Sequence, residues 1–294
     1  MLHCTRILPY TPPFHWPNML AFFQHRAIPE VEIVSGEAYQ RTIRIDDICG
    51  WFAVSHLDNQ PALQLEIHLQ SSDRFQQQAD EIERRVRRIM DLDAPMDEIS
   101  RVLGQSPYLS KALTEHAGTR LPGCWDIFEF SIRAILGQQI SVKAATTLAG
   151  RITHTYGNKV PEGFPEGLSY LFPDAATLAQ QDFEGIGLTR SRKATLVNLA
   201  QRVAAGELLL NAEHGLDDFV RRIVKEPGIG PWTAHYLAMR GLSQSDAFPA
   251  SDLGVLKGLA DNDILPKPKQ VEAIAEQWRP WRAYAAIYLW QSLS

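Results

Sequence analysis

Three cysteines, Cys4, Cys49 and Cys124, are too few and too far apart to build a scaffold. Their odd number and wide spacing argue against a disulfide framework and against a zinc or iron–sulfur site, and a reducing cytoplasm is the expected home. No apolar run approaches the roughly 20 residues of a membrane span, so no membrane partner is expected. The N-terminal string MLHCTRILPYTPPFHW lacks a basic start followed by an apolar block, and no signal peptide is expected. An excess of positive charge is missing too. Lys and Arg number 29 against 34 Asp and Glu, for a net charge of −5. Any nucleic-acid contact must then use a local surface with oriented backbone N–H groups, not a general positive field. Low-complexity sequence is absent.

What is present is a change of pattern along the chain. The 294 residues exceed one minimal core, which predicts two or three domains. Residues 30 to 70 read as strands. Ala62–Leu69 alternates apolar and polar with period two, and Tyr39–Ile45 and Trp51–His56 are of the same kind, so an antiparallel meander is predicted. A short helix is predicted before it, over Asn18–Arg26. After it, Phe75, Ala79, Ile82, Val86 and Ile89 fall on one face of a helix over Arg74–Met90, which should cover the sheet.

From about residue 95 the periodicity is helical almost throughout, broken at Leu121-Pro-Gly123, Pro161–Pro173, Gly228-Ile-Gly230 and Leu265–Pro268. The linker is placed near Asp91–Pro95. This gives an α+β chain with an N-terminal antiparallel sheet domain and covering helices at residues 1–93. A mainly helical region follows at residues 94–294. A second Gly-Ile-Gly at Gly185–Gly187 also precedes a helix and hints at a repeated hairpin element.

The densest information lies in Lys225–Asp252. Helices predicted over Leu216–Val224 and Pro231–Arg240 flank Glu226-Pro-Gly-Ile-Gly230. Gly228 and Gly230 permit φ > 0 and leave no Cβ to block close approach, and Pro231 suits the first position of a helix. Backbone N–H groups at such a turn point outward at a helix N-terminus and can hold an anion, with Thr233 adding a hydroxyl. A bare Gly-x-Gly between helices is ordinarily just a turn. The full string Pro-Gly-Ile-Gly-Pro-Trp-Thr-Ala is far more specific. It looks like a helix-hairpin-helix DNA-binding motif, which grips backbone phosphate without reading sequence.

Asp252 follows Phe248-Pro-Ala-Ser251, 22 positions after Gly230. Taken alone it is an ordinary helix N-cap. The hairpin before it adds a second reading, a reacting carboxylate beside a bound phosphate. Trp232 and Tyr236, four apart, share a helix face that by itself reads as core.

These strings, with Pro12–Trp16, Met19–Phe22, Leu121–Cys124, Ala134–Gln138, Trp278-Arg-Pro-Trp-Arg282 and Tyr288–Trp290, resemble the bacterial 3-methyladenine DNA glycosylase II family of the helix-hairpin-helix DNA glycosylases. The match runs over nearly the whole chain. The resemblance implies a helical glycosylase core of two subdomains. It also implies an enzyme that flips an alkylated purine out of damaged double-stranded DNA and excises it in base excision repair. Asp252 matches the family's essential acid, which would stabilise positive charge on the sugar, orient the attacking water, or both. Trp232, Tyr236, Trp290 and Phe22 would form the base pocket, where an electron-poor ring stacks on aromatic faces. Gly228, Gly230 and Thr233 would hold the DNA backbone.

In strand-cleaving relatives a lysine stands at the position of Trp232 and forms a Schiff base with the sugar. Tryptophan cannot, so a monofunctional enzyme that leaves an abasic site is expected. No cofactor is required on this reading, and no iron–sulfur cluster is expected. The resemblance suggests a monovalent cation at the hairpin carbonyls, a monomer, and a cytoplasmic enzyme working at the nucleoid.

Two positions depart from the family. Gln139 stands where the best-known members insert a leucine wedge, and Leu253 follows the acid where they carry an aromatic residue. Two rival readings are an oxidised-purine glycosylase with a similar sheet and a non-catalytic DNA clamp.

Overall fold

The computed structural model describes residues 1–262 and 264–293. Its N-terminal part is one antiparallel sheet of β1 (Leu2–Pro9), β2 (Glu32–Ser35), β3 (Ala38–Ile45), β4 (Ile48–Leu57) and β5 (Ala62–Leu69), in the order β1-β5-β4-β3-β2. Helix α1 (Trp16–Gln24) enters between β1 and β2. Strands β2 to β5 form the expected meander, and register follows the hydrophobic alternation. Leu8 faces Leu63, and Val54 faces Leu65, with all four buried on the inner face.

β1 was not expected from the sequence. It pairs along its full length with β5 at the sheet edge, yet only Leu8 is buried, so its hydropathy shows no period of two. Helix α2 (Phe75–Ile89) covers the sheet against β1 and β5 and buries Ala79, Ile82, Val86 and Ile89. Each of the larger aliphatics there contributes about 1.5–3 kcal/mol through its burial.

The helical part contains α3 (Met96–Leu103), α4 (Ser110–Glu115), α5 (Ile127–Leu136), α6 (Val142–Tyr156) and a small β6–β7 pair (Asn158–Lys159, Tyr170–Leu171). There follow α7 (Ala175–Leu178), α8 (Arg190–Ala204), α9 (Leu216–Ile223), α10 (Pro231–Tyr236), α11 (Leu253–Gly258), α12 (Pro268–Ala275) and α13 (Arg282–Gln291). The helix predicted over Pro231–Arg240 changes character part-way. It is α-helical to Tyr236 and becomes a π-helical turn over Leu237–Gly241. Gly241 lies so close to Ile127 of α5 that a Cβ would overlap it, and the turn leaves Arg240 buried. Such π turns often mark functional sites.

Two apolar clusters form the interior, one under the sheet and one through the helical body. They interlock: Ile28 and Val31 belong to the helical cluster, and Trp125 to that of the sheet. A polar network also crosses the junction. Arg41 of β3 donates to Glu129 of α5 at 2.7 Å, and Arg133 of α5 donates to Glu32 of β2 at 3.0 Å.

Candidate active site

The hairpin between α9 and α10 is fixed from below. Glu226 is buried, accepts from Asn198 (3.0 Å) and pairs with Arg202 (3.1 Å), both of α8. The two glycines play different parts. Gly228 has φ +80, and a Cβ there would overlap the Thr195 side chain. It is therefore required by both conformation and contact. Gly230 has φ −90 and ψ 177, an extended backbone open to any residue, so the expectation of a left-handed Gly230 is corrected. A Cβ at Gly230 would meet nothing within 4 Å. Its missing side chain leaves open the approach to the N–H groups at the start of α10.

Thr233 lies inside the fold at 2% exposure, and its hydroxyl accepts from Gln138 Nε2 at 3.0 Å. It ties α10 to the α5–α6 turn instead of offering a hydroxyl to a phosphate. Gln138 Nε2 also donates to the Gly228 carbonyl at 3.0 Å, and Arg192 Nη2 donates to the Gln138 carbonyl at 2.6 Å. The next residue, Gln139, is exposed at the tip with φ +59. The flanking Gln138 is thus held from two helices while Gln139 projects.

Beside the hairpin lies a cleft of about 270 Å³, just below the common range for ligand pockets (about 300–1,000 Å³). Trp232 and Tyr236, one turn apart on α10, stack with centroids 5.2 Å apart and planes 14° from parallel. Trp290 of α13 tilts against Tyr236 at 6.3 Å. All three line the cleft together with Asp252.

Asp252 caps α11, its Oδ1 accepting from Val255 N at 3.1 Å. The same oxygen accepts from Trp290 Nε1 at 2.8 Å, and Oδ2 accepts from Trp232 Nε1 at 3.0 Å. The cap and the pocket carboxylate are one group. Gly254 makes this possible, because a Cβ there would sit 2.6 Å from Trp290 Cδ1. Among the described residues no Lys, Arg or His forms an ion pair with Asp252. Its negative charge is hydrogen-bonded but not neutralised.

The cleft also takes a set of arginines from three elements. Arg26 follows α1, Arg133 lies on α5 and Arg240 on the π turn, and all three line the cleft. Phe22, expected as a pocket wall, does not line it. Its ring lies behind the wall, 3.8 Å from the Arg26 guanidinium carbon and 4.4 Å from that of Arg240. Arg240 donates to the carbonyls of Pro122 (2.8 Å) and Gly123 (3.2 Å) and to the Tyr236 hydroxyl (3.1 Å). Burial alone would raise the Tyr236 pKa, but Arg240 and then Arg26 outweigh it and hold the phenol below its usual value. Burial pulls Arg26 down to about 10, against the raising effect of Tyr236.

Sequence reasoning missed these arginines. Arg133 and Arg240 each interrupt an apolar stretch, Ile132-Arg-Ala-Ile-Leu136 and Ala238-Met-Arg-Gly-Leu242. A cation inside a buried stripe was the available signal.

Residues 5–126 match the AlkA N-terminal domain family, and residues 132–282 match the HhH-GPD superfamily of base excision DNA repair proteins. The chain belongs to the HhH-GPD superfamily. It is 31% identical to DNA-3-methyladenine glycosylase 2 of Escherichia coli K12, over 96% of this chain and 95% of that one. It is 33% identical to the probable bifunctional transcriptional activator/DNA repair enzyme AlkA of Mycobacterium tuberculosis H37Rv over 97% of this chain, and spans 56% of that relative's length. The fold of this HhH-GPD chain is similar to that of the 3-methyladenine DNA-glycosylase from Archaeoglobus fulgidus, with a TM-score of 0.80 at 23% identity and 97% of each chain covered. It also resembles an 8-oxoguanine glycosylase/lyase from Clostridium acetobutylicum bound to DNA, at a TM-score of 0.65, 18% identity, 90% of this chain and 98% of that one. Among the described residues no helix is long and apolar enough to cross a membrane, and no group of three or more His, Cys, Asp or Glu is arranged to hold a metal ion.

Proposed function

We propose that this chain is a monofunctional DNA glycosylase that excises alkylated purines of the 3-methyladenine kind from double-stranded DNA and leaves an abasic site. The observation that carries this reading is the Asp252 carboxylate, bonded by two indole N–H groups and a helix-start amide, at the side of an aromatic cleft. The open face of Gly230 supports a backbone grip at the hairpin. The projecting Gln139 supports a wedge that fills the stack when a nucleotide is extruded.

The target base enters the cleft and lies against the Trp232–Tyr236 pair. Alkylation has already weakened its glycosidic bond. As that bond breaks, its electron pair leaves with the base and positive charge develops on the sugar. The unneutralised Asp252 carboxylate is the group suited to stabilise that charge, to orient the water that attacks C1′, or to do both. Fixed N–H donors on both oxygens keep it in place without neutralising it.

The absence of strand cleavage belongs to this reading. Among the described residues that line the cleft there is no lysine, and Trp232 occupies the position where a Schiff-base lysine would stand. The fold is shared with a glycosylase/lyase and does not separate the two activities; the indole at 232, which cannot form a Schiff base, supports the monofunctional reading. No cofactor is required. A monovalent cation at the hairpin carbonyls belongs to the same reading, and no step depends on such an ion. A monomeric, cytoplasmic enzyme completes the proposal.

The test is incubation with duplexes carrying methylated purines, hypoxanthine or 8-oxoguanine, with free base and strand breaks measured before and after alkali. Free methylated purine with breaks only after alkali is the expected result. Breaks without alkali, or a borohydride-trapped adduct, would establish the lyase instead. No released base from any duplex would leave the DNA clamp.

A further inference from the structure

The segment that carries Asp252 has little regular structure of its own between Gly241 and Leu253. It is fixed by a short series of ties. Gln244 N donates to Ala238 O at 3.0 Å, Ala283 N donates to Ser245 O at 2.9 Å, and Phe248 N donates to His235 Nδ1 at 3.3 Å. The strongest tie is ionic. Arg282 grips Asp246 with two bonds, Nε to Oδ1 at 2.7 Å and Nη2 to Oδ2 at 3.0 Å, and Arg279 bonds the same carboxylate. Glu276 in turn holds Arg279, at 2.8 and 3.1 Å. Arg282 is only 11% exposed and Asp246 24%, so the pair is partly desolvated and its two-pronged geometry fixes direction as well as distance.

The same helix grips the loop twice. Arg282 opens α13 and holds Asp246; Trp290, eight residues and about 12 Å further along, bonds Asp252. We propose that Asp246, clamped by Arg279 and Arg282, is a positioning residue that sets the Asp252 carboxylate against the indoles of Trp290 and Trp232. The clamp fixes the start of the loop on the helix that also receives its end. Release of the first grip lets the span from Asp246 to Asp252 slide against α13. A displacement of about 1 Å at a reacting group costs up to about 10²-fold in rate. This role rests on Asp252 being the reacting carboxylate.

The test compares D246N, D246E and R282K with the native chain and with D252A. Three readings are taken: the single-turnover rate constant of base release, the affinity for an abasic-site duplex, and the indole N–H resonances of Trp232 and Trp290 in ¹⁵N-labelled protein. The clamp predicts that D246N stays folded and keeps its DNA affinity within about threefold. It also predicts a rate about 10- to 100-fold lower, with both indole resonances moved toward their D252A positions. D246E, which restores a carboxylate, recovers part of the rate, and R282K, which loses the two-pronged grip, behaves like D246N. Indole resonances unmoved in folded D246N and R282K would overturn the proposal, as would a native rate. If the native chain released no base from any duplex, the glycosylase reading would fail separately, and the indole shifts would still decide whether Asp246 positions Asp252.

Discussion

Glu129 and Asp252 are both carboxylates drawn into the protein, and they are held by opposite means. Glu129 lies at the junction of sheet and helices at 4% exposure, bonded by Arg41 at 2.7 Å with Arg133 at 3.5 Å. Its neighbour Glu32 receives Tyr39 Oη, Ile28 N and Arg133, and Arg41 lies 3.6 Å away. Burial opposes the charge on Glu32, but Arg133 and Arg41 outweigh it and hold the pKa below the usual carboxylate range. Two carboxylates meet two guanidiniums, and the cluster closes on itself. Asp252 meets only neutral donors, while Arg26 and Arg240 line the same cleft without pairing with it. The closed cluster docks one part of the fold on another. The open carboxylate keeps a charge for whatever enters.

The largest effect expected from this contrast is on stability at the junction. Removing one partner of a buried ion pair strands the other, at a cost of about 3–5 kcal/mol. Glu129→Ala should lower the unfolding free energy in denaturant by that amount. A loss under about 1 kcal/mol would mean the cluster is not the closed, dry network described.

Asp91 sharpens the comparison, because it is half-buried yet held mainly by neutral donors. It accepts from Leu121 N at 3.0 Å and Tyr284 Oη at 2.9 Å, while Arg120 donates to its backbone carbonyl. Burial dominates and raises its pKa to about 6. A carboxyl whose folded pKa lies above its unfolded value near 3.8 favours the fold fully below pH 3.8, and that contribution is lost as pH rises through 6. The loss by pH 7 is on the order of 3 kcal/mol. Asp91→Asn should remove this component, flattening the fall in unfolding free energy between pH 4 and 7. An unchanged slope would show that Asp91 is solvated.

The hairpin repeats the contrast at smaller scale, with Gly228 closed against Thr195 and Gly230 open. Gly228→Ala should cost about 2 kcal/mol, from the left-handed backbone and the overlap together. Gly230→Ala should stay within about 0.5 kcal/mol of the native stability. It should nonetheless weaken duplex affinity, measured by fluorescence anisotropy, because the added methyl occupies the side from which a phosphate approaches. Equal stability losses would erase the distinction between the two glycines.

The closed and open regions were not equally legible in the sequence. Strand Ala62–Leu69 and helices Met96–Leu103 and Val142–Tyr156 span the predicted residues, because their periodicity is strong and their ends carry caps or breakers. The hairpin was readable because glycine and proline mark turns locally. β1 was not, because an edge strand that buries one side chain leaves no alternation to see. The closeness of Trp232, Tyr236, Asp252 and Trp290 followed from resemblance, whereas the indole bonds to Asp252 required coordinates. The arginine wall, the inward hydroxyl of Thr233 and the place of Phe22 behind that wall depend on contacts between distant segments. No spacing along the chain encodes those contacts.

Asp252 is expected to serve as an open charge and not merely as a helix cap. Asp252→Asn separates the two, because asparagine caps a helix about as well as aspartate. Single-turnover base release from a methylated-purine duplex, measured beside thermal melting and affinity for an abasic-site duplex, tests it most directly. The expected result is a rate lower by about 10²–10³-fold with melting and affinity near native. Native-like excision by the folded variant would contradict it.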